Sequence, residues 1–225
     1  MTRQQNARVA GFTFLLYIAI GVTQAIVGSG AGAGNDAVSR LASMASHALQ
    51  VRTNALLGLL TAFTALTLAA ALYGLTREED GDLATLALSF RIGEGLLGAV
   101  PTMVSLTLLS LATEQSAGAT TAAASTVALL RIRSMATLVG ALFFAIGSTI
   151  FAYLLLQSRL IPRGLALLGI AASLLLVVAL PFQLVGLLTG AAAQAIWAPM
   201  AAFEVPLGVW LLVRGVYEVR AASPE

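Results

Sequence analysis

Arg91 and Glu94 stand three positions apart in "SFRIGEGLLG", inside an apolar run from about Leu83 to Ala112. On a helix that spacing puts both side chains on one face, where they can pair. A third charge, Glu204, lies in "APMAAFEVPLGVWLLVRG", near the middle of the last apolar run. Arginine keeps its proton and carboxylates can exchange theirs, so this set can hold a ligand, carry an ion or simply pair. The trio sums to a formal charge of −1. One carboxylate therefore needs a proton or a bound cation, and the three are expected to act as a coupled unit if their helices adjoin.

The rest of the chain says where such a group would sit. Of its 225 residues 59% are hydrophobic and 10% are charged, against about 25% charged in soluble domains. Six apolar windows, about 10–28, 54–75, 84–111, 135–157, 162–189 and 195–217, are each long enough to cross a hydrocarbon core of roughly 30 Å. The expected fold class is all-α, an integral membrane bundle of six transmembrane helices with a short interfacial helix, forming one domain over 1–225. Counted from Ala84, Arg91 lies roughly 10 Å deep and Glu94 roughly 15 Å. An ionised group at such depth costs about 2.5–3.5 kcal/mol on insertion scales and must find partners or water.

The first window has arginines before it (Arg3, Arg8) and "GSGAGAG" after it, as a signal peptide would. Its apolar stretch exceeds the usual 7–15 residues, so it is read as a span. All twelve cations are arginines, and their distribution orients the chain. With the N-terminus inside, Arg3, Arg8, Arg77, Arg159, Arg163, Arg214 and Arg220 fall on the inner side, and Arg40, Arg52, Arg131 and Arg133 on the outer. That bias predicts cytoplasmic N- and C-termini.

The connections differ in kind. Asp36 is expected to cap a helix running to about Arg52 on the outer surface, with Val38, Leu41, Ala45, Ala48 and Leu49 on its apolar side. Asp82 is expected to cap the third span and Pro162 to start the fifth. "TEQSAGATTAAAS" (113–125) reads as a mobile low-complexity connection. Arg131 and Arg133 are expected at headgroups, and His47 at the interface. There is no internal repeat.

Small and polar residues recur at helical spacing. Tyr17, Gly21, Gln24 and Gly28 make one stripe; Asn54, Gly58 and Thr61 a second; Gly98, Thr102 and Ser105 extend the charged face of the third span. Such stripes point into a bundle. Tyr17, Gln24, Asn54, Thr61 and, beside Pro181, Gln183 are therefore the expected lining of the polar site. Prolines at 101, 199 and 206 suggest interrupted helices near its charges. "GLLTG" (186–190) matches a helix-packing motif only weakly.

Much is excluded. One histidine and no cysteine cannot build a His-rich zinc site or a bis-histidine haem. All three aspartates (Asp36, Asp80, Asp82) lie in connections, and no G-x-S-x-G, Walker or GxGxxG motif is present. No metal, cofactor or catalytic residue is expected. The absence of any basic run argues against a nucleic-acid partner.

Four segments, "ARVAGFTFLLYIAIG", "SFRIGEG", "LFFAIGSTIFAYLLLQSRLIPRGLALLGI" and "FEVPLGVWLLVRG", resemble the bacterial membrane proteins grouped as domain-of-unknown-function family 4386. The resemblance covers nearly the whole chain, is most specific from Leu142 to Ile170 and weakest over 28–55. It implies a polytopic protein of the bacterial inner membrane, and brings no substrate, reaction or cofactor. The leading expectation is a non-enzymatic membrane protein that binds or moves a small molecule or ion around Arg91, Glu94 and Glu204. A structural or accessory subunit is second, and a membrane enzyme on a lipid or other apolar substrate third.

Overall fold

In lipid an unpaired backbone N–H or C=O has no water to turn to, so uncharged runs of this length fold as helices. The computed structural model describes residues 2–30, 32–113 and 119–217, and every regular element among them is an α-helix. These are α1 (Arg3–Gly28), α2 (Ala37–Ser46), α3 (Ala48–Thr76), α4 (Gly81–Thr113), α5 (Ala119–Gln157), α6 (Arg163–Leu184), α7 (Gly190–Ala195) and α8 (Ala198–Val213). Six stretches are long and apolar enough to cross a membrane: α1, α3, α4, α5 from Ala124, α6, and Gly190–Val213, which joins α7 to α8. Large apolar side chains such as Phe12, Leu56, Phe63, Leu96, Met103 and Val178 point outward, as lipid requires. The chain is a multi-pass membrane protein.

The spans close into a ring in the order α1–α3–α4–α5–α6–α8, with α8 returning to α1. Small residues set the seams. A Cβ on Gly11 of α1 would collide with the backbone of α8 at Leu212 N and sit 2.7 Å from Gly208 O. Only glycine allows this approach. The N-terminal end of α1, both even-numbered span-to-span turns and the chain after α8 gather on one side. Arg3 pairs with Glu78 at 2.6 Å, Gln4 exchanges hydrogen bonds with the Val216 backbone, and the Tyr217 N–H donates to Leu160 O.

Several boundaries differ from the sequence expectation, each for a local reason. The helix capped by Asp36 stops at Ser46, and the corner at His47 starts α3 six residues before the expected second span. Arg52 thus belongs to α3. Within α2, Met44 is buried and Leu41 packs beside it against α4 and α5, whereas Val38, and Leu49 at the start of α3, stay exposed. Asp80, not Asp82, caps α4, its carboxylate accepting the Leu83 N–H at 2.9 Å. Part of the 113–125 connection, residues 114–118, lies outside the described residues. From Ala119 the chain is already helical, so Arg131 and Arg133 stand within α5. At 39 residues α5 is about 58 Å long, well beyond one bilayer core. The α4–α5 pair therefore rises past the membrane, and α2 covers its flank.

The fifth span ends at Leu184 rather than 189. Gly186 takes a left-handed φ of 78°, and the Leu187 and Leu188 N–H groups both return to Phe182 O, a glycine-terminated helix end. "GLLTG" is consequently a turn rather than a packing face. The last span breaks at Ile196–Trp197, between α7 and α8. Helix α4 continues through Pro101 and α8 through Pro206.

Candidate functional site

Helix α4 places Arg91 and Glu94 on its inner face, as their spacing requires. Arg91 is 1% exposed, and its Nη1 lies 2.8 Å from Glu94 Oε2. This is a charge contact rather than an aligned hydrogen bond: Arg91 Nε and Nη1 and Glu94 Oε2 have no hydrogen-bond partner among the described residues. Helix α5 completes the cradle. The Phe144 ring lies under the guanidinium, 4.8 Å from Cζ to centroid, a cation–π contact. One turn on, Gly147 makes room, since a Cβ there would sit 3.0 Å from Arg91 Cγ. From α1, the Tyr17 hydroxyl donates to Glu94 Oε1 at 3.3 Å.

Glu204 comes from α8 and is 9% exposed. It does not join the pair. Helix α8 packs on α1 and α6, so Arg91 forms its ion pair with Glu94 alone. The expected three-membered ion pair is thus a pair plus a separate carboxylate. What joins them is a cavity of about 400 Å³, onto which Tyr17, Glu94 and Glu204 all face. Phe144 and Trp197 form aromatic wall, and Gly98 and Pro101 line the α4 side. Among the described residues Glu204 has neither a hydrogen bond nor an ion pair, although it feels the charges of Arg91 and Glu94.

The other expected lining residues separate into two groups. Thr61 lines the main cavity and donates to Gln24 Oε1 at 2.9 Å, while Gln24 Nε2 reaches Asn54 O at 3.4 Å. Gln24 and Asn54 face a smaller adjoining cavity of about 80 Å³ with Thr102, Ser105 and Arg133. They form a second polar layer, one to two turns toward the α2 end. Gln183 is in neither layer. It lines an outer groove with Arg40 and Arg133, because Pro181 and the end of α6 lie beyond the ring's interior.

Phe144, Gly147 and Trp197 belong to the site and were not singled out from sequence. Gly140, Phe144 and Gly147 fall at helical i, i+4, i+7 spacing, and that small–aromatic–small stripe is the signal that would have found two of them. Trp197 depends on the break before α8, which the hydropathy of the last window conceals.

Chemically, the cavity offers one carboxylate engaged by Arg91 and Tyr17, one free carboxylate, and two aromatic faces over small apolar walls. No group of three His, Cys, Asp or Glu side chains that could hold a metal ion occurs among the described residues. A hard divalent cation takes 6–8 oxygen ligands or an octahedral set, which this lining does not supply. Neither a curated protein nor a solved structure matches the chain. The model of one family, a domain of unknown function (DUF4386), matches residues 9–215, from the second turn of α1 to just past the end of α8. The chain belongs to the DUF4386 family.

Proposed function

We propose that this protein binds or moves a small ligand or ion through the cavity shared by Glu94 and Glu204. One observation carries the reading: Glu204 is buried within an apolar span, faces about 400 Å³ of open volume and makes no hydrogen bond or ion pair among the described residues. A carboxylate there costs about 2.5–3.5 kcal/mol, a cost that a purely structural role would have removed by pairing it. The reading is non-enzymatic. The cavity lining contains no Ser, His, Cys or Lys, and its hydroxyls are engaged, Tyr17 with Glu94, Thr61 with Gln24 and Thr137 with Arg133 O, so none has a free general base beside it. A structural role suits the Arg91–Glu94 pair itself, which is buried and packed against Phe144.

The absence of cysteine makes the test direct. Gly98 lines the cavity with nothing within 4 Å of an added Cβ, whereas Leu96 is 65% exposed on the outer surface of the bundle. Gly98→Cys is expected to react with a small neutral aqueous thiol reagent at least about tenfold faster than Leu96→Cys, whose thiol faces hydrocarbon and stays protonated. Equal rates would mean that water does not reach the cavity. The companion change Gly98→Leu fills open volume and replaces glycine inside a helix, so it should raise stability by up to about 1 kcal/mol. A thermal melt in detergent checks that sign.

We further propose that the membrane is the bacterial inner membrane and that the side holding the chain ends is cytoplasmic. The arginine bias supports this. Ser46 and Glu79 are exposed at opposite ends of the bundle. In intact cells Ser46→Cys should label with an impermeant thiol reagent, and Glu79→Cys only after permeabilisation. The reverse pattern would invert the topology.

A further inference from the structure

We infer that the ligand of this cavity is an organic monocation, an ammonium group carried on an apolar body, with Glu204 as its counter-ion. The inference rests on the ligand-binding reading above and adds the chemical class. Three observations converge on it. The first is charge: Arg91 and Glu94 cancel at 2.8 Å, so Glu204, when ionised, leaves the cavity with one uncompensated negative charge. An anion would meet that charge, because the one cation nearby is already engaged by Glu94 and the Phe144 ring.

The second is the aromatic part of the wall. Trp197 and Phe144 both line the cavity, their rings tilted at 35° with centroids 6.1 Å apart. Aromatic faces beside a carboxylate are how proteins hold quaternary and protonated amines, since the ring quadrupole attracts a weakly hydrated cation. Phe144 already serves Arg91, which leaves Trp197 as the principal face for the ligand. The third is size and polarity. About 400 Å³ falls in the range of small-molecule sites, and the remaining lining is largely glycine, alanine and proline. A bare alkali ion would leave that volume and those apolar walls unused, and would find too few oxygens. An ammonium with a ring or branched alkyl body fills the one and covers the other.

The test uses Gly98→Cys in the full-length protein, with a small neutral thiol reagent reporting access to the cavity. Three competitors of similar shape are compared: benzyltrimethylammonium, its uncharged carbon isostere neopentylbenzene, and benzenesulfonate. Benzyltrimethylammonium is expected to slow labelling at least about fivefold, with the isostere and the sulfonate near unity, since a charged cleft concentrates its counter-ion by a factor of 10 or more. Glu204→Gln should abolish the protection and Glu204→Asp should retain part of it. The comparison among competitors at native Glu204 stands even if Glu204→Gln does not fold. Equal protection by all three compounds, or protection that survives Glu204→Gln, would overturn the cation assignment while leaving a ligand cavity. Labelling that no compound slows would overturn the cation assignment as well. Failure of Gly98→Cys to label at all would remove the cavity reading beneath it.

Discussion

Glu94→Leu is expected to destabilise the protein by about 3–5 kcal/mol, whereas the double change Arg91→Leu/Glu94→Leu should cost much less. Arg91 is 1% exposed and has Glu94 as its ion-pair partner. Without Glu94 the guanidinium has no ion pair and keeps the face of Phe144 as its contact, and it cannot shed its charge. Arg91→Leu alone should fall between the two. Glu94 then retains the Tyr17 hydroxyl and its place on the cavity, and a carboxylate can neutralise itself by taking up a proton. Removing both charges replaces the pair by apolar volume, which is often neutral. Glu204→Gln breaks no ion pair or hydrogen bond, so its coupling to these changes should be small beside that between Arg91 and Glu94. Unfolding in detergent across the double-mutant cycle measures this. Strictly additive costs for Arg91 and Glu94 would mean that the pair is energetically silent.

The second large effect belongs to a residue with no charge. Gly11→Ala is expected to lower stability by about 1–3 kcal/mol or more, because the added methyl meets backbone rather than a movable side chain. Leu212 N and Gly208 O of α8 occupy the space that its Cβ would need. Relief requires α1 and α8 to separate. Tyr17 rides on α1 and Glu204 on α8, so the same change should alter the cavity that both line. Gly21→Ala provides the control, since nothing lies within 4 Å of a Cβ there. If Gly11→Ala melts at the same temperature as Gly21→Ala, the α1–α8 seam is looser than described.

The two expectations draw on different kinds of information. That Arg91 and Glu94 pair is legible in their spacing, because an i, i+3 relation on a helix needs no knowledge of the fold. Tyr17, Gln24, Asn54 and Thr61 were legible too, as polar residues at helical intervals in apolar runs. They do face the interior, in two adjoining layers. Glu204 was legible as a mid-membrane charge but not as an unpaired one. Gln183 was misplaced, since its polarity is real but α6 directs it to an outer groove with Arg40 and Arg133.

The sequence by itself determined the class and the six apolar spans, though not where each helix ends. Uncharged runs of about 20 residues satisfy their backbone in lipid only as helices, so their number and approximate place follow from hydropathy. Only the tertiary structure decided rotation and neighbourhood: which helix stands beside Arg91, that α8 packs on α1 and α6, and that a cavity lies between Glu94 and Glu204. In a soluble protein a helix's apolar stripe would announce its buried side. Here leucine and phenylalanine serve lipid and interior equally well, as Phe63 outside and Phe144 inside illustrate. The orientation is set instead by close contacts between distant residues, Gly11 on Gly208, Gly169 under Phe203, Gly147 beside Arg91. Hydropathy carries no record of such contacts, because each exists only when two remote segments meet.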